Sequence, residues 1–220
     1  MERVPEPELM DEPDQVLAYA GADFSVPHQD FVSRFGACFP DASLDGATVI
    51  DLGCGPADVT VRFARAYPAC RIVGLDAGHN MLQSASRRVV GEGLQSRVAF
   101  VLVRLPDYGW LGQRFDAVIS NSLLHHLADP LVLWDAIGRC ASKDAPILVM
   151  DLLRPDDAAG LDALVTRYAA GEPPVLQQDF RNSLMAGYTA DEVRDQLSRV
   201  GLPLTVRVVS DRHWIAHGRG

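Results

Sequence analysis

One rhythm constrains this chain more than any other feature. Short runs of aliphatic and β-branched residues, "ATVIDL", "RIVGLD", "RVAFVLV", "FDAVIS" and "APILVMDLL", alternate with longer amphipathic stretches between residues 47 and 153. The runs are apolar throughout instead of on every second residue, which suits strands covered on both faces, and a parallel sheet with helical crossovers provides that cover. "ADVTVRFARAYP" fills the first crossover and Pro68 ends it; "AGHNMLQSASRRVVGEG" fills the second and closes on glycines. Asp129 offers an N-cap and Pro130 a first-turn proline before "LVLWDAIGRCAS". "TADE" forms a capping box at Thr189 that opens the last helix, and "LPLTVRVVSDRHWIAHG" supplies two final strands joined by a tight connection. The predicted fold is a doubly wound α/β sheet of seven strands, mostly parallel, with an antiparallel last strand.

Two segments stand outside this rhythm. Residues 1–40 open with a dozen acid- and proline-rich residues expected to be loose, followed by two short helices between Asp14 and Phe39. Residues 154–188 interrupt the alternation with a helix in "DDAAGLDALVTRYAAG", then Pro173-Pro174 and a polar stretch, "QQDFRNSLMAGY". An insertion of that length is expected to fold over the sheet edge as a lid. With 220 residues and 48% apolar content, the chain suits one domain, here 41–220, with 1–40 as a helical segment closing over it.

A net charge of −9 disfavours nucleic acid as a partner. No window approaches a membrane span, and the acidic, proline-bearing start does not resemble an export signal, so a cytoplasmic protein is expected. Cys38, Cys54, Cys70 and Cys140 lie far apart without metal-binding spacing and are read as reduced thiols. The choice between monomer and homodimer stays open.

The likeliest site follows the first strand, in "VIDLGCGPADVT". Gly53 and Gly55 allow a sharp bend and a close backbone approach. Asp76 ends the second strand, where a carboxylate can accept from both hydroxyls of a ribose. A dinucleotide fingerprint would place glycine where Asp58 stands, and Asp51 and Asp58 put negative charge where a pyrophosphate would lie. These acids suit a cation.

The motifs "VIDLGCGPA", "GLDAGHNML" and "FDAVISNSLLHHLADP" resemble those of class I S-adenosylmethionine-dependent methyltransferases, across residues 47 to 153. The resemblance implies a Rossmann-like fold, S-adenosylmethionine as cofactor and in-line methyl transfer. It implies a donor site formed by Asp51, Gly53, Cys54, Gly55, Asp76, Ala77, Met81, Leu105, Asn121 and Tyr19. Asp51 would orient the amino group, Asp76 hold the ribose and Met81 pack on the adenine. Ala57 replaces a glycine common in the family, and Val103-Arg104 replaces a Gly-Asp pair, so either Asp107 or backbone groups must receive the adenine amine.

Ser120 and Asn121 are expected beside the transferred methyl, with His125 and Asn121 as catalytic candidates. Of the adjacent His125 and His126, at most one is expected to face the ligand, and no metal is expected because no carboxylate stands close in sequence. Tyr19 and Phe24 would cover the donor. Arg154, Arg181 and Tyr188 are candidate acceptor contacts, with Asp151 and His213 near the same cleft. The expected acceptor is a small molecule, since no appended recognition domain is visible. Three alternatives remain: a nicotinamide oxidoreductase, an RNA or protein methyltransferase, and a donor-binding member that does not methylate.

Overall fold

The computed structural model describes residues 1–7, 9–107, 109 and 113–220; Tyr108 and Trp110 of the loop "RLPDYGW" lie outside them. Seven strands form one sheet: β1 Thr48–Leu52, β2 Arg71–Asp76, β3 Val98–Leu102, β4 Ala117–Asn121, β5 Pro146–Leu152, β6 Thr205–Val208 and β7 His213–Arg219. Their order is β3-β2-β1-β4-β5-β7-β6, with β1 to β5 parallel and β7 antiparallel to both neighbours. The order reverses between β1 and β4, so the crevice beyond their carboxyl ends is where such a sheet binds ligands.

Alternation along each strand feeds two cores. Val49, Ile72, Ile119 and Leu148 face Phe31, Phe35 and Phe63 on one side, while Ile50, Val118 and Ile147 face Leu133, Trp134 and Leu197 on the other. Trp134 and Trp214 are fully buried, and each indole N–H is satisfied, by Gln196 Oε1 at 2.9 Å and by the Leu152 carbonyl at 3.1 Å.

The helices are α1 Pro13–Gly21, α2 Ser25–Cys38, α3 Asp58–Ala66, α4 His79–Gly91, α5 Leu131–Cys140, α6 Ala158–Ala169, α7 Pro174–Ala186 and α8 Ala190–Val200. The Thr189 capping box forms as expected. The stretch read as polar after Pro173 is instead helix α7, which starts on Pro174, carries Leu176, Phe180 and Leu184 at helical spacing, and packs Phe180 and Leu184 against α6 and β5.

The opening dozen residues are not loose. Val4 N–H donates to the Met185 carbonyl, and Arg3 donates to the Ala186 and His125 carbonyls at 2.6 and 3.0 Å. Asp11 Oδ1 accepts from the backbone N–H of Asn80 and Met81 at 2.8 and 3.1 Å, capping α4 from a distant part of the chain. Polar side chains, not apolar ones, fasten this segment. No helix among the described residues is long and apolar enough to cross a membrane.

Candidate functional site

A cavity of about 550 Å³ lies beyond the carboxyl ends of β1, β2 and β4. Residues of α1, α2, α6 and α7 wall its outer side. The turn after β1 bends through left-handed backbone at Gly53 and Gly55, with φ of 72° and 51°. A Cβ on Gly53 would stand 2.8 Å from the Leu123 side chain, so close packing also requires glycine there. Ala57 is left-handed too, with φ 64°.

Acids surround this turn. Asp51 is buried, accepts from Thr60 Oγ1 at 2.6 Å, and burial pushes its carboxyl up to about 7. Asp76 accepts from Gly55 N–H and Gly78 N–H, both at 2.8 Å, and burial raises its pKa as well. The turn amide at Gly55 therefore already serves an internal carboxylate. Asp58 is not the free anion expected from the sequence: it is bound by His28 at 2.6 Å, Arg62 at 2.8 Å and Arg88 at 3.0 Å. Burial opposes its charge, but the bonds from His28 and Arg62 prevail and hold its carboxyl well below the usual range. Asp58 thus pins α2 and α4 to the start of α3, leaving Asp51 and Asp76 as the acids that disfavour a phosphate.

Cys54, Ala77, Met81, Leu105, Asn121 and Tyr19 line the same cavity. Tyr19 stacks against Phe24 with ring centroids 4.8 Å apart, and burial pushes its hydroxyl up to about 12, so it stays neutral. Arg104 also lines the cavity, while Asp107 is exposed, outside that lining, and accepts from Gly109 N–H.

On the other side stands a histidine pair. Leu124–His126 is a single 3-10 turn, and both imidazoles face the cavity with centroids 4.2 Å apart, contrary to the expectation that only one could. Asp151, at the end of β5, organises this turn. Its carboxylate accepts from Leu124 N–H at 2.6 Å, His125 N–H at 3.3 Å and Leu152 N–H at 2.6 Å, and meets His125 Nδ1 at 2.5 Å. Burial works against a charged His125, but Asp151 outweighs it and Glu6 adds to the effect, so its pKa is raised. Burial and the neighbouring His125 push His126 down to about 3.

Glu6 is the residue that sequence reasoning missed. It is delivered by the N-terminal segment, with Oε1 3.3 Å from His125 Nε2 and 3.2 Å from His126 Nδ1. The expectation that no carboxylate would stand beside these histidines fails because the neighbour comes from far away in the chain.

Several expected contacts lie elsewhere. Ser120 points into the core and donates to the Leu52 carbonyl at 2.8 Å. Arg154 is buried away from the cavity, donating to the Met1 and Gly187 carbonyls and pairing with Glu192 at 2.6 Å. Arg181 pairs with Asp162 at the surface. Tyr188 is buried beneath the Arg3 guanidinium, 4.1 Å from its ring centroid, and does not reach the cavity. His213 does line it, bonded to Ser210 Oγ at 3.1 Å and pushed by burial down to about 4.

Residues 49–143 match a family model described as a methyltransferase domain. They hold β1 to β4 and α3 to α5, including the glycine turn, Asp76, Asn121 and both histidines. A trans-aconitate 2-methyltransferase of Methylobacterium nodulans is 31% identical over 149 residues, covering 67% of this chain and 51% of that protein. Residues 49–143 thus belong to the methyltransferase-domain family. A malonyl-[acyl-carrier protein] O-methyltransferase of Legionella pneumophila is 25% identical over 150 residues, with 67% and 51% coverage. The chain spans about half the length of these curated relatives. In fold it is similar to the plantazolicin methyltransferase BpumL, solved with SAH: TM-score 0.70 at 13% identity, covering 94% of this chain and 91% of that one.

Proposed function

We propose that the protein transfers a methyl group from S-adenosylmethionine to a small acceptor held under α6 and α7. The observation that carries this reading is the use of the glycine turn. Gly55 N–H is committed to Asp76, and two buried acids flank the bend, which suits a cationic nucleoside without phosphates better than a dinucleotide. The residues fit such a donor. A carboxylate has about four lone-pair positions, and the two amides on Asp76 leave room for two ribose hydroxyls. Asp51, once ionised, pairs with the ammonium; Met81 and Leu105 offer apolar contact to the base.

When bound, the donor supplies a methyl on a sulfonium whose sulfur leaves as a neutral thioether. The chain's task is alignment and exclusion of water. Tyr19 and Phe24 cover the donor half. Asn121 addresses the acceptor's reacting atom, and His125, its Nδ1 held by Asp151 and its Nε2 beside Glu6, bounds the same end of the cavity. The α6 and α7 wall presents Tyr168, Leu176 and Phe180 together with Glu172 and Asp179. Glu172 and Asp179 favour an acceptor carrying a hydrogen-bond donor or a cationic group, while Arg212, stacked on Tyr168 and paired with Asp211, belongs to the same lining. A reducing cytoplasmic setting agrees with the four cysteines, all free thiols.

Calorimetric titration tests the reading. S-adenosylmethionine and its demethylated product should bind and NAD should not, and Asp76→Ala should weaken donor binding by about 2 to 3 kcal/mol. Unchanged affinity in a folded Asp76→Ala protein, or tight NAD binding, would refute it. Transfer of labelled methyl to an acceptor panel then separates an enzyme from a donor-binding protein that does not methylate.

A further inference from the structure

Three side chains converge where His125 and His126 border the cavity, with Glu6 set behind them. Glu6 Oε1 lies 3.3 Å from His125 Nε2 and 3.2 Å from His126 Nδ1, and one donor atom from each residue falls within 4.8 Å of the others. His125 meets Asp151 through Nδ1 and presents its other ring nitrogen, Nε2, to the Glu6 carboxylate. His126 Nδ1 is a buried atom with no hydrogen-bond partner among the described residues, its approach to Glu6 lacking the required geometry. A positive charge shared among these three groups, whether a proton or a metal ion, is what holds them together, and a metal ion would also engage the unpartnered His126 Nδ1.

We propose that Glu6, His125 and His126 form a site for a divalent transition-metal ion, zinc being the type case, with a remaining coordination position open to the cavity. Two imidazoles and a carboxylate suit zinc and its neighbours in the first transition row, not magnesium or calcium. The two separations from Glu6 Oε1, 3.2 and 3.3 Å, match two edges, roughly 3.3 Å each, of a tetrahedron built on bonds of about 2.0–2.1 Å, and the two histidine nitrogens lie within 4.8 Å of each other. The ligands are also braced from behind. Asp151 holds His125, and Ser183 Oγ lies 3.1 and 3.3 Å from the two Glu6 oxygens. Three protein ligands with an open position are the arrangement of ions that engage a substrate. The ion would hold the acceptor's oxygen or sulfur as an anion, its proton having passed to solvent. A lone pair of that atom then forms the bond to the methyl carbon while the carbon–sulfur bond of the donor breaks, its electron pair remaining on sulfur. The use of the ion rests on the methyltransferase reading; the existence of the site does not.

The test uses the full chain, cleared of metal by a chelator, without donor present. Zinc chloride is titrated by calorimetry and cobalt(II) by visible absorption. One ion should bind per chain, with the d–d bands of a four-coordinate centre and no thiolate-to-cobalt charge-transfer band, which rules out Cys54 as the ligand. Glu6→Gln and His126→Ala should each weaken binding at least about 100-fold, and Ser183→Ala about 10-fold. Wild-type protein that binds no ion, or Glu6→Gln that binds as well as wild type, overturns the proposal. Glu6 lies on the N-terminal segment outside the core, so this variant remains readable if His126→Ala does not fold. Binding of the demethylated donor is measured on the same samples. Donor binding without metal defeats the metal site alone, and metal binding without donor defeats the functional reading alone.

Discussion

Ala57 occupies the left-handed region, φ 64° and ψ 28°, at the step from the glycine turn into α3. An L-residue there costs about 1 to 2 kcal/mol, partly offset because glycine would lose more freedom on folding. Ala57→Gly should therefore raise stability by about 1 kcal/mol, read as a higher urea midpoint at unchanged slope. Asp51 makes a second prediction. Its carboxyl, raised to about 7 by burial, favours the protonated form in the folded protein, so stability declines as pH rises from the unfolded value near 4 toward 7. A cationic ligand needs the ionised form, so donor affinity should move the opposite way, rising about tenfold per unit up to pH 7. Calorimetry between pH 5.5 and 7.5 measures this, and a flat profile would remove Asp51 from the donor site. The residue types at this turn were legible because a bend, an acid and a following acid report their chemistry locally. Ser120 was misread through simple parity: neighbours on a strand face opposite ways, so with Asn121 at the cleft Ser120 must enter the core.

Elements were legible wherever their own period declared them. The five parallel strands, their crossover helices and the Thr189 capping box follow from runs of adjacent residues. Helix α7 was obscured because its apolar stripe is narrow, with Leu176, Phe180 and Leu184 separated by Gln, Asp, Arg and Asn. The N-terminal segment was obscured for another reason. Asp11 caps α4 across 69 residues of chain, a relation no local pattern encodes. Asp11→Ala should cost about 1 kcal/mol and speed hydrogen exchange at the Asn80 and Met81 amides, since both lose an acceptor. Unchanged exchange at those two amides would show that the cap contributes nothing in solution.

Across the whole molecule, the sheet supplies one side of the cavity, and pieces outside the alternating pattern supply the other: α1 and α2 from one end of the chain, α6 and α7 from the insertion. A ligand bound between them and the sheet would hold these pieces in place. Binding of the demethylated donor should accordingly slow hydrogen exchange in residues 9–28 and 168–183, while β1 and β4 change little; equal protection everywhere would contradict a stabilisation confined to these pieces. The alternation foretold the sheet and the glycine-turn half of the cavity, whereas the histidine half is assembled from contacts between remote segments, such as Glu6 with the histidines. Asp151 sets a boundary between these halves. Because one carboxylate fixes the imidazole of His125 and also the main chain of two elements, the strand-borne face cannot be re-aimed without unseating its own backbone. Retargeting this scaffold to a new acceptor is therefore a matter of redesigning the helical wall opposite, at Tyr168, Leu176, Asp179 and Phe180, and leaving the β5 end untouched.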